Sequence, residues 1–171
     1  MESGIVPHLM KYRLPDRSTV DISSDVMDYM QKWRQVKPYM AEAGGFLIGY
    51  QNRISSNIIV DGLSHPYDLD YRNIIRFDIK DERHHLFLLE QEKYGSHYVG
   101  TWHTHPEEIP YPSSRDLLDW NASLREDKSF CKWMFFIIVG IRSMRIWAGD
   151  SDRNEITELP ECNKSNGIYV D

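Results

Sequence analysis

The chain has 171 residues, 41% of them hydrophobic and 27% charged, ordinary values for a soluble globular domain, and the whole of 1–171 reads as a single domain. Collagen-like, low-complexity and disordered classes are excluded, and a chain of this length needs no disulfide or metal merely to fold. Its 20 basic and 26 acidic side chains leave a net charge of −6, which gives no strong electrostatic reason to hold nucleic acid.

The most apolar stretch, residues 133–141 (WMFFIIVGI), falls far short of the ~20 residues of a membrane-spanning helix. The first residues, MESGIVPHLMKYRLP, lack the basic start and long apolar core of a signal peptide. Cys131 and Cys162 form no CxxC pair and read as free thiols of a reducing cytosol. A cytoplasmic protein with no membrane or nucleic-acid partner is therefore expected.

In chain order, the first 20 residues, with Pro7 and Pro15, lead in with a short strand. Ser23 or Ser24 is a helix N-cap, followed by the amphipathic stripe Val26, Met27, Met30 and Trp33, which Pro38 ends. Gly44 to Tyr50 reads as a buried strand and residues 56–64 as the next. Residues 64–80 hold a candidate strand over 74–79 and are long enough for a functional loop. Tyr67, Tyr71, Ile74, Ile75 and Phe77 give that segment more apolar surface than a solvent loop needs. It either docks a substrate or fills the domain's own core.

Asp81 is expected to cap a second helix that runs to about Tyr94, carries Leu86, Leu89, Glu90 and Lys93, and stops at Gly95. Adjacent His84 and His85 point about 100° apart on a helix and read as exposed surface. His97 to His105 alternates as a strand does, and ends at Pro106. Pro106, Pro110 and Pro112 make 106–112 a loop. Ser113 or Ser114 opens a third helix with Leu117, Leu118, Trp120 and Leu124 as its apolar face. Residues 133–140 and 143–148 read as two strands joined by a tight turn, and the tail after Asp150 is weakly patterned. Mixed order with few βαβ repeats points to α+β.

The chemistry concentrates in Gly100 to Asp116. On a strand, His103 and His105 point to one face because the side-chain period is two. Two imidazoles there fill two corners of a tetrahedral metal site. Asp116, in the first turn of the following helix, supplies a third ligand if the loop folds back. Two His and one carboxylate leave the fourth corner to water, the open arrangement of a catalytic zinc. Glu42, just before the Gly44 strand, is the candidate base for that water, and Gly44 and Gly45 permit close approach of backbone and substrate. Ser113-x-x-Asp116 also reads as a capping box, which would pin Asp116. Glu107 and Glu108 are an acidic loop tip, either solvated or in contact with a basic patch on a substrate. Trp102 points away from the histidines, into the core. His8, His65 and His97 read as structural or surface, and Cys131 lacks the partners of a nucleophile.

His103-x-His105-Pro106, six residues, then Ser113-x-x-Asp116 resembles the signature of the JAMM metalloproteases, also called MPN+ or JAB domains. Glu42-Ala-Gly-Gly45-Phe-Leu47-Ile-Gly49 resembles that family's upstream glutamate segment. The resemblance covers residues from about 23 to 148. It implies an MPN/JAB, cytidine deaminase-like fold, a curved mixed sheet flanked by helices. It further implies a Zn2+ cofactor on His103, His105 and Asp116, Glu42 as general base, and Ser113 as hydrogen-bond donor near the tetrahedral intermediate. The implied activity is isopeptidase or peptidase action after the C-terminus of a ubiquitin-like or similarly conjugated protein. The short chain is similar to the prokaryotic branch found in antiphage operons. That likeness implies operon-encoded activating and conjugating enzymes and a nucleotidyltransferase as partners. The alternatives are C-terminal trimming of a small sulfur-carrier protein and a non-catalytic MPN scaffold.

Overall fold

The computed structural model describes residues 10–162; His8 and Pro7 lie outside the described residues. Two strands rather than one open them: β1 (Met10–Arg13) and β2 (Thr19–Ile22) form an antiparallel hairpin. Then come α1 (Ser24–Gln31), β3 (Gly44–Gln51), β4 (Ile58–Leu63), β5 (Tyr71–Asn73), β6 (Arg76–Asp78) and α2 (Arg83–Glu92). β7 (His97–Thr104), α3 (Ser114–Glu126), β8 (Trp133–Val139), β9 (Met144–Asp150) and β10 (Glu155–Glu158) follow. Eight strands form one sheet in the order β1-β2-β4-β3-β7-β8-β9-β10, while β5 and β6 stand apart as a hairpin. β2 runs parallel to β4 and β7 parallel to β8, the latter pair joined through α3 as a parallel connection requires. The expected α+β architecture, a curled mixed sheet with helices, is what the chain adopts.

The sheet curls until its two ends meet. The Arg13 N–H donates to the Pro160 carbonyl at 3.0 Å, and the Cys162 N–H to the Lys11 carbonyl at 2.8 Å. β1 thus bonds to the segment after β10, and backbone groups that an edge would expose find partners. Over its described residues the tail after Asp150 therefore carries structure. Between β3 and β7 the register slips at Leu47/Ile48, next to Gly100 with φ of +147°. A side chain at Gly100 would run into the Phe135 carbonyl, so the bulge demands glycine.

β8 is buried along its whole length. Phe135, Ile137 and Val139 face the larger core under α1; Met134, Phe136 and Ile138 face the smaller one with Trp120 and Leu124 of α3. Ser23 caps α1 and Val26, Met27 and Met30 are buried as the stripe predicts. The helix ends at Gln31, well before Pro38, because i→i+3 bonds from the N–H groups of Lys32, Trp33 and Arg34 tighten the chain out of α geometry.

The expected apolar face of α3 is wrong, and so is the expected exposure of His84 on α2. On α3, Leu117 and Leu118 are 41% and 71% exposed. Asp116, Trp120 and Leu124 repeat at i, i+4, i+8 and turn the other way, so one stripe carries the carboxylate and its anchors. On α2, Leu86 and Leu89 face out, and His84 is the buried residue. Its N-cap is Glu82, not Asp81; Asp81 instead accepts from the Arg83 N–H at 3.0 Å and pairs with the Arg83 guanidinium. Hydrogen bonds that join His84 to Ser64 at 2.6 Å and to Asp70 at 2.7 Å pull that face inward.

Candidate metal centre and active-site cleft

The end of β7 carries the histidines. His105 lies just past the strand, yet its N–H still donates to the Val139 carbonyl at 3.0 Å, so strand alternation continues and both imidazoles share a face. Opposite them, Ser113 starts α3 with a reciprocal capping box: its Oγ accepts from the Asp116 N–H at 3.1 Å, and Asp116 Oδ2 accepts from the Ser113 N–H at 2.7 Å. Trp120, stacked on Phe136 at 4.8 Å, fixes the helix one turn further on.

The result is convergence. His103 Nε2 lies 3.0 Å from His105 Nε2 and 3.2 Å from Asp116 Oδ1, and His105 Nε2 lies 3.1 Å from Asp116 Oδ2. Donors on a tetrahedral zinc are about 3.3 Å apart for bonds of ~2.0–2.1 Å, so this set of two imidazoles and one carboxylate fits the ion in spacing and in kind. Burial alone would raise the Asp116 pKa, but hydrogen bonds from His103 and His105 hold the carboxyl well below its usual range. Burial alone would lower the His105 pKa; Asp116, Glu42 and Glu107 outweigh it and raise the imidazole above its ordinary value.

Glu107, which the sequence left undecided, turns toward the histidines. Its Oε1 sits 2.9 Å from His105 Nδ1, which orients the ring and leaves Nε2 toward the centre. The only signal was a carboxylate two residues after a histidine, a spacing that a solvated loop tip shares.

Glu42 stands over the centre, 3.9 Å from His105 Nε2 and almost fully buried. The β5–β6 hairpin pins its backbone: the Glu42 N–H donates to the Asn73 carbonyl at 2.8 Å, and Arg72 Nε donates to the Glu42 carbonyl at 2.7 Å. Desolvation, with lesser contributions from the Asp116 and Asp78 charges, pushes its pKa up to about 8. A divalent cation at the donor set would favour the ionised form that a base needs.

These groups open into a cleft of about 410 Å³. Glu42, His103, Ser113 and Asp116 line one end; Ile75 to Lys80 flank one side and Asp119, Trp120, Ser123 and Asp127 the other. Gly44 and Gly45 serve the chain's own packing: a Cβ on Gly44 would meet the Trp102 carbonyl and the Phe77 ring, and one on Gly45 the Ser64 carbonyl. Trp102 is buried as expected, its indole N–H donating to the Ser64 carbonyl at 2.9 Å. His84 reverses expectation, since it is fully buried in the Ser64–His84–Asp70 chain, away from the surface. His65 packs between Tyr67 and Trp33, and His97 lies 3.6 Å from Glu92. Burial raises the Cys131 thiol pKa, consistent with an inert residue.

A family profile described as prokaryotic homologs of the JAB domain matches residues 28–149. The chain belongs to the prokaryotic JAB family. It is 33% identical to a Vibrio cholerae protein named CD-NTase/cGAS isopeptidase, over 81% of this chain and 85% of that one. An Escherichia coli protein of the same name is 32% identical over 82% of this chain and 86% of its own. The solution structure of a protein from Desulfitobacterium hafniense, 21% identical, superposes with a TM-score of 0.54 over 80% of this chain and 87% of that one, and shows the same fold. The expected deconjugating isopeptidase, an enzyme of the hydrolase type, is borne out by this prokaryotic JAB kinship.

Proposed function

We propose that this prokaryotic JAB protein is a zinc-dependent isopeptidase that cuts the bond after the C-terminus of a ubiquitin-like or similarly conjugated protein. The observation that carries this reading is the meeting of His103, His105 and Asp116 under a buried Glu42. When bound, zinc lowers the pKa of water toward ~7 and polarises the scissile carbonyl. Glu42 takes the proton of the attacking water and returns it to the leaving amine. The Ser113 hydroxyl, whose oxygen accepts from the Asp116 N–H, keeps its own proton to donate to the developing oxyanion, a contribution of ~3 kcal/mol for one donor. Glu107 keeps His105 in the tautomer that presents Nε2.

An extended tail reaches this centre along the cleft between β6 and α3. β6 pairs with β5 on one side, and Ile75 to Lys80 line the cleft, so the tail adds as a further strand. The relatives' name joins the isopeptidase to a CD-NTase, and we place this chain in the same setting, with a conjugated nucleotidyltransferase and the enzymes that conjugate it. The described helices include none long and apolar enough to cross a membrane. The test is incubation with a protein conjugated through its C-terminus, read by intact mass. Release of the uncut C-terminus that chelator abolishes is the expected result; no release by zinc-loaded protein refutes the reading.

A further inference from the structure

Beneath the histidines lies a polar network that the reaction itself does not touch. Thr104 stands between His103 and His105, so its side chain points to the opposite face of β7. It is fully buried, and its hydroxyl accepts from the Ala43 N–H at 3.0 Å and donates to Gln35 Oε1 at 2.8 Å. The Thr104 N–H donates to the Ala43 carbonyl at 2.8 Å, so the two residues are tied twice. Gln35, 1% exposed, spends both amide hydrogens on the carbonyls of Met40 at 3.1 Å and Ile74 at 2.9 Å. Both carbonyls only accept, which fixes the orientation of the amide.

Four segments meet here: the loop after α1, the residue beside Glu42, the strand of the histidines and the turn of the β5–β6 hairpin. The hairpin closes the circuit, since Asn73 and Arg72 hold the Glu42 backbone from both sides. Apolar side chains of the same shape would fill this volume but would take these partners from the Ala43 N–H and from the Met40 and Ile74 carbonyls. What the hydrogen bonds add is direction. We infer that Gln35 and Thr104 are positioning residues that fix Glu42 relative to His103 and His105 and carry the placement of the β5–β6 hairpin to Glu42. Substrate that orders the hairpin thereby orders the base. The inference rests on the reading of Glu42 as the base.

The variants are Thr104→Val and Gln35→Met, which keep shape and remove the bonds, with Thr104→Ser as the conservative rescue. Amide hydrogen exchange is read at Glu42 and Ala43 in chelated protein, then zinc per chain, kcat and KM after loading. In Thr104→Val the Ala43 amide loses its acceptor and exchanges about tenfold faster or more, and in both variants the Glu42 amide, held only through the loosened hairpin, exchanges faster too, while β8 amides keep their protection. Zinc content and KM hold, and kcat falls on the order of 10- to 100-fold, the cost of a displaced catalytic group. Thr104→Ser restores both readouts. Unchanged exchange at Glu42, an unchanged kcat, or a loss of protection spread equally over β8 overturns the inference. If one variant does not fold, the other decides. A wild-type protein without chelator-sensitive activity would refute the proposed function, and the exchange measurement would still decide whether the network places Glu42.

Discussion

Glu42→Gln should make the protein worse as an enzyme and better as a fold. The carboxyl is almost fully buried, and its pKa rises from 4.5 to about 8. At pH 7 the unfolded carboxyl is ionised while the folded, metal-free one holds its proton. The sign follows from linkage: a raised folded pKa gives stability that is present below 4.5 and lost as pH climbs through about 8. From 4.5 to pH 7, at about 1.4 kcal/mol per pH unit, the loss is on the order of 3 kcal/mol. Gln keeps the shape and carries no such titration. Chelated Glu42→Gln should therefore gain up to that amount over wild type at pH 7, and much less at pH 4.5. Urea unfolding at the two pH values measures the difference. The same variant should keep about one zinc per chain while turnover falls by ~10²-fold or more, the usual contribution of a general base. A stability difference that does not change with pH would refute the burial argument, and near-normal turnover would refute the role of Glu42.

The other expectations concern the metal, the hairpin and His84. His103→Ala or Asp116→Ala should lose zinc, read by elemental analysis, yet keep the fold, because a chain of this length does not depend on a metal for its core. Tyr71→Ser with Ile75→Ser should raise KM severalfold at unchanged melting temperature, since both side chains are exposed, at 49% and 80%. Tyr67→Ser should instead lower the melting temperature, because that ring packs on buried His84 at 4.8 Å. A KM unmoved by the hairpin pair would remove the hairpin from substrate docking. For His84, burial lowers the pKa more than Asp70 raises it, so the folded protein holds it neutral. Stability is then full above the ordinary value of ~6.5 and lost as pH falls through the folded pKa. His84→Gln should flatten that acid slope in a urea series, and an unchanged slope would assign it to other groups.

Local pattern alone made much of the site legible. The x spacing of His103 and His105 on an alternating strand fixes their shared face, and Ser113 with Asp116 forms a capping box wherever a helix starts there. The amphipathic stripe of α1 and the apolar run of β8 likewise need only neighbours in sequence. Tertiary structure decided the rest. Which face of α3 turns inward depends on Trp120 finding Phe136 and Trp147, and this leaves Leu117 and Leu118 outside. The burial of His84 depends on Ser64 and Asp70, 20 and 14 residues away in sequence. Glu42 meets the histidines only because β3 pairs antiparallel with β7 and a separate hairpin clamps its backbone. Helix caps and strand alternation are set by bonds a few residues long. Burial, pKa and the meeting of ligands are set by contacts between segments that the chain's own periodicity cannot encode.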